Sequence, residues 1–145
     1  MLYGNILVAY DGSDISERAL DTGARLAALS PEAKLKVIHV FYWPSLVIGD
    51  AFVAAPPAMA KEEYEYTQAL EQKAQARALE LGVEQVEVTT LQGSPAKAIL
   101  NFAEESAADV IVIGSRGLSG IGELVLGSVS HNVVQHARIP VLVVK

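Results

Sequence analysis

The run Asp109-Val-Ile-Val-Ile113 constrains this chain most. Consecutive β-branched apolar residues give a strand no wet side, so it has to be buried on both faces. Strands of that kind sit in parallel sheets with helices above and below, joined by right-handed crossovers. The rest of the chain supplies them. Asn5–Tyr10 reads as a first strand, Lys34–Phe41 as a second, Val83–Leu91 as a third and Ile139–Val144 as the last. Ala19, Leu20, Gly23, Leu26 and Ala27 recur at helical spacing between Ser16 and Leu29, and Lys61–Leu81, Ala96–Ala107 and Ser128–Ala137 read as further helices. The punctuation agrees. Asp11-Gly12-Ser13-Asp14 is a turn in which Ser13 or Asp14 can cap the first helix. Gly82 suits a helix C-cap, Gly93-Ser94-Pro95 combines a turn, a serine cap and a first-turn proline, and Gly23 lets its helix sit close to the sheet.

The order βαβαβαβαβ predicts an α/β fold: a three-layer α/β/α sandwich around a five-stranded parallel sheet, strand order 3-2-1-4-5, as one domain over residues 1–145. One stretch breaks the rhythm. Residues 42–60 carry Pro44, Pro56 and Pro57 among Trp43, Leu46, Val47, Ile48, Phe52 and Val53. A long apolar loop is expected there, packed on a ligand, a partner or the body of the domain.

Composition narrows the function. A formal charge of −6 repels nucleic acid and anionic membranes, and with no cysteine there is no disulfide, thiolate nucleophile or Cys-based zinc site. His39 reads as a sheet residue, and His131 and His136 lie five apart on a helix, so neither suggests a metal site. The start of the chain has no signal-peptide pattern and no apolar run approaches ~18 residues, so a cytoplasmic protein without membrane insertion is expected.

Open parallel sheets bind ligands beyond the C-terminal ends of their strands, where the strand order reverses. In the 3-2-1-4-5 order that point lies between the first and fourth strands, so Asp11 and Gly114 face each other across one crevice. From Gly114 to Ser128 the chain reads GSRGLSGIGELVLGS. Glycines there let backbone N–H groups approach an anion, and Ser128 stands at the positive end of the last helix. Known nucleotide loops do not fit. The lysine of a P-loop is missing, GxGxxG fails, and the acids and lysine of a receiver domain and the HxGH, KMSKS and SGGxDS signatures of nucleotidyl-transfer folds are absent.

The whole pattern resembles the universal stress protein family, in its ATP-binding branch. That branch carries G-x2-G-x9-G-(S/T) after the fourth strand, met here by Gly114, Gly117, Gly127 and Ser128 with Val129 following. The opening Ile6-Leu-Val-Ala-Tyr-Asp11-Gly-Ser13 and the closing Pro140-Val-Leu-Val-Val144 are similar to the family too. The resemblance implies a Rossmann-like fold of the adenine nucleotide alpha hydrolase-like type, a homodimer, and bound ATP with Mg²⁺. Its adenine and ribose contacts fall at Ala9, Asp11, Val40 and Ile113, and its phosphate contacts at Gly114, Gly117, Gly127, Ser128 and Val129. Some members have proline where this chain has Ala9.

Residue by residue, Asp11 is suited to ribose hydroxyls or a metal-bound water, with an Asx-turn as the alternative. The Val40 main chain can meet an adenine edge while Val40 and Ile113 supply apolar surface. Arg116 pairs with phosphates or points into solvent; Ser115, Ser119 and Ser130 are secondary phosphate contacts or ordinary helix and turn hydrogen bonders. Strand 139–144 would be an uncharged sheet edge, which pairing with a second copy would cover. The expected function is an ATP-binding stress-response or signalling protein whose occupancy regulates conformation or binding of a protein partner. A slow ATPase or autophosphorylating protein and a dimeric interaction module without nucleotide are the alternatives.

Overall fold

The computed structural model describes residues 2–41, 46–48, 51–53, 61–116 and 126–145. In chain order these form β1 (Asn5–Ala9), α1 (Asp14–Ala27), β2 (Lys34–Phe41), β3 (Leu46–Ile48), β4 (Ala51–Val53), α2 (Lys61–Glu80), β5 (Gln85–Gln92), α3 (Pro95–Glu105), β6 (Val110–Gly114), α4 (Ser128–His136) and β7 (Val141–Val144). The main sheet has five strands in the order β5-β2-β1-β6-β7, every pair parallel. Counted along the chain within that sheet, this is 3-2-1-4-5. No helix among the described residues is long and apolar enough to cross a membrane.

Alternation along the strands builds two cores. Ile6, Val8 and Tyr10 with Leu35, Val37, Val110 and Val112 face α1 and α2. Leu7, Ala9, Ile38, Ile111 and Ile113 face α3 and α4. Leu7, Val8, Ile111 and Val112 are fully buried, as the unbroken apolar run of β6 demands.

Gly23 brings α1 down onto the sheet: a Cβ there would overlap Val8 Cγ2. Two ion pairs a helical turn apart then join α1 to α2. Lys73 Nζ lies 3.0 Å from Glu17 Oε1, and Arg77 donates from Nε and Nη2 to the two carboxylate oxygens of Asp21, each at 2.9 Å. At the other end of the sheet, Asp109 Oδ2 accepts from the amides of Gly4 and Asn5, fixing the start of β1 against β6.

Several local expectations shift. The third strand begins at Gln85 because Val83 still belongs to the end of α2: its amide donates to Ala78 O and that of Gly82, at φ +93°, donates to Leu79 O. The last strand begins at Val141, after Pro140, which has no amide to donate. Ser94 stands at the N-cap of α3 without a side-chain cap bond, and the first-helix cap is Ser13, whose Oγ accepts from the Ser16 amide. Within 42–60, where an aperiodic loop was expected, β3 and β4 pair antiparallel; the packing expected of that segment's apolar side chains lies outside the described residues.

Gly23→Ala tests the close approach. The helix gains propensity, about 1 kcal/mol, but the methyl is forced into a fully buried valine, and overpacking costs about 1–3 kcal/mol. Urea unfolding should show a net loss of stability for Gly23→Ala and none for Thr22→Ala on the same helix.

Candidate functional site

β1 ends at Ala9 while its neighbours run on, and this opens a crevice. The Tyr10 amide still donates to Ile38 O (2.9 Å), so even-numbered residues of β2 turn their main-chain groups toward β1. Val40, two residues on, therefore turns its N–H and C=O to the space beyond the end of β1. On the other side, Ile111 and Ser115 donate to Pro140 O and Val144 O of the β7 segment. Gly114 is thereby directed to the β1 side, where the Ser130 hydroxyl donates to its carbonyl at 2.5 Å. Ala9, Val40 and Ile113 come together as the upper edge of the core facing α3 and α4, with Ala9 at 9% and Ile113 at 5% exposure, so Val40 offers most of the apolar surface.

The carboxylate of Asp11 closes an Asx-turn. Its Oδ1 accepts from the Ser13 amide (2.9 Å) and the Ser13 hydroxyl (2.5 Å), and Ser16 Oγ donates to Ser13 O (2.9 Å). The turn alternative is thus realised, with one carboxylate oxygen setting the loop. Gly12 is required: its φ is +82°, and a Cβ would stand 2.8 Å from Leu70 Cδ2 of α2.

Across the crevice, α4 presents its N-terminus. Its first intrahelical bond runs from the His131 amide to Gly127 O, and Gly127 supplies no side-chain cap. The amides of Ser128, Val129 and Ser130 are consequently the donors a helix start leaves for an anion. Ser128 is exposed, whereas the Val129 side chain packs on the core, so only its amide faces outward. The glycine loop is closed at its base by the Gly127 amide donating to Ser115 O (2.8 Å).

Not every expected phosphate contact is free for that role. Ser130 is 3% exposed and spends its hydroxyl on Gly114, and Ser115 is buried with both main-chain groups bonded. Gly114 is glycine for a packing reason: a Cβ would lie 3.0 Å from Ile15 Cγ2 of α1 and 3.3 Å from Arg116 O. Arg116 is half-buried where β6 enters the loop. Gly117 and Ser119 lie outside the described residues. No group of three or more His, Asp or Glu is placed to hold a metal among the described residues.

Beside the crevice, on the α2 side, is a polar cluster the sequence pattern did not reveal. Tyr10 OH donates to Glu17 Oε1 at 2.5 Å, and burial first, then Glu17, hold the phenol protonated. Thr90 Oγ1 donates to Glu71 Oε1 at 2.6 Å and lies 3.5 Å from His39 Nδ1. These pairs join residues from different elements, and no spacing rule reports them.

A family model described as Universal stress protein family matches residues 2–145. Universal stress protein YxiE of Bacillus subtilis is 38% identical over 150 residues, covering 99% of this chain and all of the relative. A universal stress protein of Thermus aquaticus is 39% identical over 145 residues, with 99% and 100% covered. Among solved structures, a universal stress protein in complex with cAMP matches at a TM-score of 0.75 and 30% identity over 99% of this chain and 97% of that one. One from Archaeoglobus fulgidus in complex with dAMP matches at 0.74 and 27% over the whole of both.

Burial holds the His39 imidazole below its ordinary 6.5, against the pull of Asp11 and Glu71. The unfolded chain therefore takes up a proton more readily than the folded one. Stability from this source is complete above about pH 6.5 and is lost as pH falls toward the folded value. Urea midpoints measured from about pH 8 down to about pH 5 should decline less steeply in His39→Gln than in the parent chain.

Proposed function

The chain belongs to the universal stress protein family, and from that premise we propose that it binds ATP in the crevice beyond β1 and acts as a regulated binding protein in stress response or signalling. The observation that carries the reading is the meeting of Val40, Asp11 and the α4 N-terminus around one space. The Val40 main chain offers a donor and an acceptor side by side for the adenine edge. Asp11, already oriented by Ser13, offers its remaining acceptor capacity to ribose hydroxyls. The amides of Ser128 and Val129, the Ser128 hydroxyl and the helix dipole receive phosphate. Ala9 and Ile113 complete the apolar wall, and Gly114, Gly117, Gly127 and Arg116 shape and charge the loop over the phosphates. Relatives solved with cAMP and dAMP support an adenine nucleotide as the ligand class.

Mg²⁺ fits as an ion carried in by the phosphates, with Ser128 or, through water, Asp11 as the protein's contribution. Turnover is not what this arrangement favours. Among the described residues, Asp11 is the carboxylate at the end of β1, and its Oδ1 is engaged in the turn.

β7 is one edge of the sheet. With even-numbered residues bonded to β6, the main-chain groups of Val141 and Val143 face outward, beside Leu142 at 42% exposure. Strand 139–144 of a second copy would satisfy them, giving a homodimer.

Nucleotide-stripped protein titrated calorimetrically with ATP, ADP, AMP, cAMP and GTP should bind adenine nucleotides saturably and GTP at least tenfold more weakly, roughly the worth of one good hydrogen bond. Asp11→Ala should weaken ATP by about tenfold or more, with little phosphate released in either protein. Absence of adenine nucleotide binding at millimolar concentration would sink the reading. For the dimer, Val143→Pro removes an edge donor without touching the β6 ladder; sedimentation should then show monomer, with ATP binding retained.

A further inference from the structure

The opposite end of the sheet carries a second concave site. Between the last turns of α3 and α4 lies a groove of about 350 Å³, toward the small end of the roughly 300–1,000 Å³ found for small-molecule sites. Its floor is apolar, made by Leu100, Ala103, Ala108, Ile111 and Ile139. Glu104, from α3, and Arg138, just past α4, line it as well. Both are exposed, and among the described residues neither forms an ion pair with the other or with any third residue. His136 also lines the groove, its Nδ1 3.0 Å from Asn132 O, which leaves Nε2 uncommitted.

The wall at Ala107 adds to this. α3 ends with the Ala107 amide donating to Glu104 O and that of Ala108 to Ala103 O, and Ala107 sits at φ +52°. Glycine is the usual residue in that conformation; here an alanine takes it, and it lines the groove.

An anion and a cation that share one groove without closing on each other complement a ligand that carries both charges. A hydrocarbon would use neither group, and a fatty acid would pair with Arg138 but leave the Glu104 carboxylate without a cation. We propose that this groove binds a free α-amino acid with an apolar side chain, its ammonium at Glu104 and the negative end of α3, its carboxylate on the Arg138 guanidinium and its side chain on the apolar floor. The site is independent of the nucleotide reading, although α4 carries Ser128 at one end and His136 at the other.

The test is an amide-shift titration of the isotope-labelled full chain with L-leucine, glycine and isocaproate, which keeps the branched chain and carboxylate but lacks the ammonium. Leucine should shift Ala103, Ala107, Ala108, Arg138 and Ile139 saturably, with glycine and isocaproate about tenfold weaker or more. Glu104→Gln and Arg138→Gln alter exposed side chains without ion-pair partners, so folding is unaffected; each should weaken leucine about tenfold. Glu104→Gln should also bring isocaproate level with leucine. The proposal is overturned if leucine, methionine and phenylalanine leave these amides unmoved at millimolar concentration. It is equally overturned if the leucine shifts persist unchanged in both variants.

Discussion

The pairing of β1 with β6 governs this molecule. Both strands are buried on both faces, so helices must cover the sheet on either side, and at this pair the direction of winding reverses. α1 and α2 lie on one face and α3 and α4 on the other. Because β1 stops at Ala9 while β2 runs on to Phe41 and β6 to Gly114, the reversal becomes a hollow with main-chain groups on its walls. A ligand site is thus a consequence of topology before any side chain is chosen for it.

Side chains then hold that hollow in shape. Gly23 permits the depth at which α1 sits, Gly114 makes room for Ile15 at the start of the same helix, and Gly12 admits Leu70 from α2. Ser13 and Asp11 shape the turn, Ser130 fastens α4 to the end of β6, and the Ser115–Gly127 bond closes the base of the glycine loop. The same few elements therefore do two jobs. Gly114, which looks like a phosphate-binding residue, is also where Ile15 of α1 comes close to the end of β6, and Asp11 orients a loop as well as offering a carboxylate.

How much of this could be read from residues alone follows from what kind of contact each feature makes. Strand order and helix placement were legible because the apolar run of residues 110–113 and the 3.6-residue spacing of α1 are local patterns with few solutions. Gly23 was legible for the same reason: a glycine on the apolar face of a helix has few uses. The positions of Asp11, Val40 and Ile113 at the strand ends followed from topology, whereas Ala9 came with the family resemblance. The division of labour among serines did not. Ser130 bonds the carbonyl of Gly114, sixteen residues back, and nothing in its neighbours separates it from Ser128, which stays exposed. Ion pairs such as Asp21–Arg77, 56 residues apart, and the groove shared by Glu104 and Arg138 come from tertiary packing that no periodicity encodes. The short β3–β4 pair was missed because six residues in two strands are too few to show an alternation.

A crystal structure of the nucleotide-stripped protein grown with ATP and magnesium tests the nucleotide crevice most directly. The adenine edge should lie on the Val40 main chain, the ribose at Asp11, and the phosphates against the Ser128 and Val129 amides. Nucleotide bound elsewhere on the molecule, or a crevice left empty at saturating ATP, would contradict it.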